Sequence, residues 1–206
     1  MSSETLPARA DLAPSASAEV WADGDSERAN SRVRDYLALV KARLTTMVVA
    51  SSVVCYWLAA STIEPVTLLW FTLGTFLVVA GANAFNQVLE RGPDARMERT
   101  ARRPIPTGRL SALEAGVAAS LMTVTGLSLV LFSGGRLSAG LGLVALFVYV
   151  LVYTPMKPRS SWATLPGAVA GAMPTLMGWS AAEGKISARK FLAPFSGLRT
   201  GEVFPG

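Results

Sequence analysis

The segment Asn86-Gln87-Val88-Leu89-Glu90-Arg91-Gly92-Pro93-Asp94, followed by Arg99-Thr100-Ala101-Arg102-Arg103-Pro104, concentrates the chemistry of this sequence. Asn86, Glu90 and Asp94 carry side-chain oxygens and recur at every fourth position, and a dense set of arginines comes next. On a helix, residues four apart are offset by only about 40°, so Asn86 and Glu90 share one face. Gly92-Pro93 works against continuation, because the residue before a proline is pushed out of the α region. The sequence therefore predicts a helix that frays near Arg91 and leaves Asp94 on the first bend of a loop, still near the other two. Glu90 and Asp94 could each give one oxygen to Mg2+, leaving sites for phosphate oxygens and water. Asn86 could add a carbonyl oxygen or orient a water. Arg99 and Arg103 could neutralise a departing lipid diphosphate. Equally, Glu90 and Asp94 could pair with Arg91, Arg96 or Arg99 at a helix end, and spacing alone leaves both readings open.

The elements that must hold these residues are membrane helices. Charge is nearly absent from several long windows, and a bilayer needs about 20 mostly apolar residues per helix. Candidate spans run 44–63, 66–89, 112–132, 137–153 and 164–181, the last interrupted by Pro166, Pro174 and several glycines. Such residues are tolerated where neighbouring helices satisfy the backbone again. The predicted fold is all-α, a polytopic bundle of about five spans. Residues 1–35 are polar, with acids at Glu4, Asp11, Glu19, Asp23, Asp25 and Glu27, and read as a disordered tail. Residues 36–184 form the membrane domain, and 185–206 a tail with no run able to span.

Bases alternate between loops. Lys41 and Arg43 precede the first span, six arginines lie between the second and third, and Lys157 and Arg159 follow the fourth. The positive-inside rule then predicts an integral membrane protein whose N-terminus and chemistry-bearing loops are cytoplasmic. The same flanking positions explain the net charge of +5 without nucleic acid, for which no motif is present. There is no histidine, and the single Cys55 sits in an apolar run. His-based zinc sites and Ser-His or Cys-His nucleophiles are thereby excluded, so a metal here must take oxygen ligands.

The run 86–110 resembles the first aspartate-rich motif of the UbiA superfamily of intramembrane prenyltransferases: an Asn, an acid four residues on, an Asp four further, then Arg-Thr-x-x-Arg-Pro. Glu90, the Asn86-Gln87 pair and Met97-Glu98-Arg99-Thr100 leading to Arg103-Pro104-Ile105-Pro106-Thr107-Gly108-Arg109 are most similar to the branch that farnesylates haem B. Tyr36 to Thr45 resembles the family's opening Lys-Pro-Arg motif, with Ala42 in place of the proline. Tyr153 to Ser160, with Thr164 and Gly167 to Trp179, resembles its fourth-to-fifth helix junction, with Pro158 where a basic residue is common. The resemblance covers 34–184. It implies the first part of a UbiA-type fold and transfer of farnesyl from farnesyl diphosphate to a vinyl group of haem B, giving haem O. It implies Asn86, Glu90 and Asp94 as the Mg2+ and diphosphate face. Arg99, Arg103 and Lys157 become the diphosphate cations, with Lys41 and Arg43 on the rim. Tyr153 could turn its ring toward an allylic cation, although an interfacial anchor explains it as well.

From Lys185 the likeness is lost, and a second aspartate-rich motif is not found. The expectation is a truncated or frameshifted chain that is inactive alone. Two rivals remain: a UbiA-type enzyme acting on an aromatic quinone precursor, and a non-catalytic membrane fragment. Oligomeric state is not legible.

Overall fold

The computed structural model describes residues 31–184, and every regular element among them is helical. Helix α1 covers 31–39 and helix α2 Ala42–Ala59. Helix α3 is Pro65–Leu89 and helix α4 Arg91–Arg96. Helix α5, Ala112–Phe147, leads through a π turn, Val148–Tyr153, into a single turn α6, Thr154–Met156. A 3₁₀ turn at Ser161–Ala163 opens α7, Thr164–Glu183. Among the described residues, Asp35 is the first buried position of α1. The rest of the N-terminal tail and the tail from 185 lie outside the described residues.

Among the described residues, three helices are long and apolar enough to cross a membrane: Ala42–Ala59, Pro65–Leu89 and the run Ala112–Met156. The last contains the third and fourth expected spans. Gly135, with φ 77° and ψ 178°, breaks it. A Cβ on Gly142 would lie 3.4 Å from Leu127, fifteen residues back along the chain. Only a reversal at Gly135 brings those positions together, so α5 is a helical hairpin. Glycine is suited to that break because φ is positive there. Helix α7 lies against α2 and α5 but is less apolar, since glycine and proline are spread through it.

Small residues set how closely the helices approach, as expected where lipid removes most of the hydrophobic drive between spans. Gly74 of α3 meets Gly126 and Val130 of α5, and Gly81 meets Ala119 and Thr123. These two helices are therefore antiparallel. Gly178 of α7 sits so close to Ser52 of α2 that a Cβ would come within 2.0 Å of its carbonyl oxygen. One apolar cluster, Leu39, Ala84, Ile105, Leu110, Ala115 and Ala119, lies at the end where α1 meets α3. Another, Tyr56, Phe71, Val130 and Met177, lies at the opposite end. Large apolar side chains such as Met47, Leu69, Leu121, Val124 and Phe132 point outward, as a lipid-facing surface requires.

Helix α3 does not fray into a loop at Arg91. Glu90, at φ −84° and ψ 3°, ends it, and α4 begins at the next residue. Pro93 then falls in the first turn of a new helix, where the missing N–H costs nothing. The Asp94 N–H donates to the Glu90 carbonyl at 2.8 Å, so Asp94 remains one helical turn beyond Glu90.

Gly178→Ala should destabilise the bundle by about 1–3 kcal/mol through overpacking against α2. Gly171→Ala, where an added Cβ meets nothing within 4 Å, should be neutral or slightly stabilising. Thermal unfolding of the two variants side by side checks both.

Candidate functional site

Along α3 and α4, Asn83, Asn86, Gln87, Glu90 and Asp94 form a polar stripe, and each is buried. Polar groups in a membrane helix must find internal partners. The partners identify the site. Glu90 accepts from Lys157 Nζ at 3.0 and 3.3 Å. Asp94 accepts from Arg103 Nη1 at 2.5 Å, and its backbone carbonyl accepts from Thr100 Oγ1 at 2.9 Å. Asn86 accepts from Lys41 Nζ at 3.0 Å and donates through Nδ2 to Thr154 Oγ1 at 3.1 Å. Glu90 is thus paired across the bundle and Asp94 with Arg103 nine residues on, rather than with Arg91, Arg96 or Arg99.

Glu90 and Asp94 line a cavity of about 500 Å3 together with Arg99, Arg103, Lys157 and Arg159. Apolar walls come from Leu89, Pro93, Val150 and Leu151. Two carboxylates and four bases therefore face one hollow, an excess of positive charge that suits a polyanion. Asn86 stands behind this wall, with both ends of its amide engaged. A second cavity of about 220 Å3 lies deeper among α2, α3, α5 and α7, lined by Val48, Val78, Leu146, Ala170 and Pro174, with Asn83 and Tyr149 as its polar members.

Lys41 sits in the turn between α1 and α2, outside the spans, with φ 49° and ψ 53°. Its ammonium is pushed down to about 8, chiefly by desolvation and then by the neighbouring Arg103 charge, while Glu90 and Asp94 pull in the other direction. Arg43 is exposed and shares a shallow hollow with Lys41, Leu37, Leu44 and Met47, and neither base lines the larger polar cavity. The Lys41 ammonium turns inward to Asn86. Tyr153 also stays out of the polar cavity. It stacks on Tyr149 at 5.3 Å between centroids, and its ring closes over Gly167.

Several participants were not singled out by sequence reasoning. Asn83 donates to Thr45 Oγ1 at 3.1 Å and accepts from Tyr149 Oη at 3.3 Å. Gln87 donates to the carbonyls of Ala38 and Leu39, and Thr154 supports Asn86. Their signal was available: amides inside an apolar span, on the same helical stripe as Glu90, are costly unless used.

Among the described residues, no three His, Cys, Asp or Glu side chains gather into a metal-binding group. The site instead offers two carboxylates and a nearby amide, all hard oxygen donors. That set fits Mg2+, which is commonly held through one or two carboxylates plus substrate phosphates.

The described residues thus form a helical bundle of membrane-spanning character with an acid-and-base cavity at one end. Comparison gives the family. The UbiA prenyltransferase family pattern matches residues 48–198. This chain belongs to the UbiA prenyltransferase family. The match runs past 184, where the sequence resemblance had been placed. The chain is 42% identical over 157 residues to "Protoheme IX farnesyltransferase" of Christiangramia forsetii, covering 76% of this chain and 52% of that protein. It is 45% identical over 159 residues to the protein of that name from Anaeromyxobacter dehalogenans, covering 76% and 53%. The mitochondrial protein of Arabidopsis thaliana is 39% identical over 163 residues, with coverage of 78% and 38%. The chain therefore spans about half the length of the curated relatives it matches. Among solved structures, a UbiA homolog from Archaeoglobus fulgidus bound to GPP and Mg2+ shares the fold with a TM-score of 0.65 at 17% identity, covering 78% of this chain and 58% of that one. A structure described under digeranylgeranylglyceryl phosphate synthase gives 0.68 at 18% identity, covering 74% and 54%.

Lys41 gives a pH signature. Folded, it loses its proton near pH 8, whereas an unfolded lysine keeps it to about 10.5. Between those values the unfolded chain binds more protons, so the Lys41 contribution to stability rises with pH across that window. Denaturation at pH 8 and pH 10 should show this increment in the parent and not in Lys41→Met.

Proposed function

We propose that this chain carries the diphosphate-binding part of a farnesyltransferase that acts on haem B to give haem O. The observation that carries the reading is the pair Glu90 and Asp94, buried one helical turn apart and facing a cavity that also presents Arg99, Arg103, Lys157 and Arg159. The relatives' shared name supports the substrate pair, and the Mg2+ and GPP in the Archaeoglobus fulgidus homolog support the chemistry.

Glu90 and Asp94 hold Mg2+ in this reading. Asn86 becomes a third oxygen donor once Lys41 turns to a phosphate. When bound, Mg2+ supplies positive charge against the diphosphate oxygens. Lys157 and Arg103 are each tied to a carboxylate in the structure. With the carboxylates engaged by Mg2+ these two bases would be released to pair with diphosphate, and Arg99 and Lys41 would add charge at the rim. These cations stabilise the negative charge that grows on oxygen as the allylic carbon–oxygen bond breaks. The polar cavity holds the head group and the deeper apolar cavity, lined in part by Tyr149, takes the chain. Tyr153 acts through its stack on Tyr149, steadying that ring rather than meeting the cation directly. Arg43 serves at the membrane interface. The distribution of bases supports a cytoplasmic site, with the N-terminus on the same side. A cysteine placed at Thr107 should then be labelled from the cytoplasmic side only.

Calorimetry of the purified chain with farnesyl diphosphate and Mg2+ tests the reading. Glu90→Gln or Asp94→Asn should weaken Mg2+-dependent binding on the order of 100-fold, as loss of a charged ligand in a low-dielectric site implies. Binding that is equal with and without Mg2+, or untouched by both variants, would count against it. Farnesyl transfer to haem B rather than to 4-hydroxybenzoate identifies the acceptor class.

A further inference from the structure

We propose that Gln87 is a positioning residue for Lys41: from within α3 it fixes the turn that delivers the Lys41 ammonium to the carboxylate site. Gln87 is 1% exposed. Its Nε2 donates to the carbonyls of Ala38 at 3.0 Å and Leu39 at 2.6 Å, the last of α1. Helix-end carbonyls lack intrahelical donors, and here one amide serves two of them. The next carbonyl, that of Val40, accepts from Thr45 Oγ1 at 2.7 Å, and Thr45 in turn accepts from Asn83 of α3. Three consecutive carbonyls are thus held by buried side chains, two of them directly and one indirectly from α3.

The residue that follows is Lys41. Among the described residues it is the one non-glycine with positive φ. An L-residue in that region crowds its Cβ, and such a conformation persists only where its surroundings over-determine it. Glycine would satisfy a turn that merely joined α1 to α2. A lysine stands there instead, and its Nζ reaches Asn86 Oδ1, one turn before Glu90. The Gln87 amide is itself used at a cost. Its Oε1 is buried without a hydrogen-bond partner, and buried unpaired acceptors are unfavourable. Flipping the amide would set that oxygen against two carbonyl oxygens, so the clamp dictates the orientation.

The functional weight of this device rests on the diphosphate reading above, but its geometry does not. The test uses brief acetic anhydride labelling of the full chain in lipid nanodiscs, with Lys41 and Lys157 read separately by peptide mass spectrometry. Gln87→Met keeps the volume and removes both donated bonds. It should raise Lys41 acetylation about ten-fold, and the milder Thr45→Val about three-fold, as loss of two bonds and one bond implies. Lys157 should stay within about two-fold in both variants, as only local bonds are lost. Lys41 acetylation at the parent level in Gln87→Met overturns the proposal, and should that variant not fold, the parent level in Thr45→Val overturns it, because the held carbonyls then do not position Lys41. A parallel rise at Lys41 and Lys157 also overturns it, because that reports general loosening. Protection of Lys41 by farnesyl diphosphate with Mg2+ in the parent chain is a separate arm. Its failure removes the diphosphate reading while the variants still decide the role of Gln87.

Discussion

A polar stripe inside an apolar helix must find its hydrogen bonds within the protein, and the rest of this bundle is arranged around that requirement. Helix α3 carries amides and carboxylates at Asn83, Asn86, Gln87 and Glu90, continued by Asp94 on α4. Their partners come from the end of α1 and the turn after it, from α2, from the π turn after α5, from Lys157 and, for Asp94, from Arg103 in the segment after α4. The stripe therefore does more than decorate one helix. It fixes which way neighbouring segments face, because a buried amide or carboxylate that loses its partner is costly.

The mouth of the site shows the same economy in charge. Glu90 and Asp94 are nearly sealed from solvent, while their partners Lys157 and Arg103 remain partly exposed. Removing one member of a buried pair leaves an uncompensated charge, which is far more damaging than losing a surface ion pair. The cations sit at the open side, where an incoming anion meets them first. The charges are gathered in one place, so a change of partner at this mouth takes side-chain movement rather than a new arrangement of helices.

The spans were legible because apolar runs and their basic flanks need no tertiary information. Glu90, Asp94, Arg99, Arg103 and Lys157 were legible because acids and bases at helix ends stand out against an apolar background, and the cavity gathers them. Other features were not. Gly92-Pro93 signals a break, yet a new helix starting at Arg91 accommodates the proline, and that depends on where Glu90 stops α3. Arg43 lies two residues from Lys41 in sequence and borders the same shallow hollow, but it is the Lys41 ammonium that bonds to Asn86. Tyr153 was read for its ring, while its stacking partner Tyr149, four positions earlier, carries the hydrogen bond to α3. Side-chain partners across helices are a property of the packing, and spacing within one helix does not reveal them.

The π turn at Val148–Tyr153 also sets the reading frame of the helix surface. A π turn accommodates roughly one residue more than an α turn. Everything after it, including Thr154 and Lys157, is rotated relative to the face that α5 presents before it. Deleting a single residue from this stretch could leave a continuous apolar helix with the same hydropathy and almost the same length. Removing the extra residue would let the π turn close as an α turn with Lys157 still near Glu90, whereas a deletion in the regular part of α5 would turn Lys157 away by about 100°. Counting residues between helices is thus as informative here as identifying them. The wider turn is the one place in this run where a one-residue change in length is absorbed.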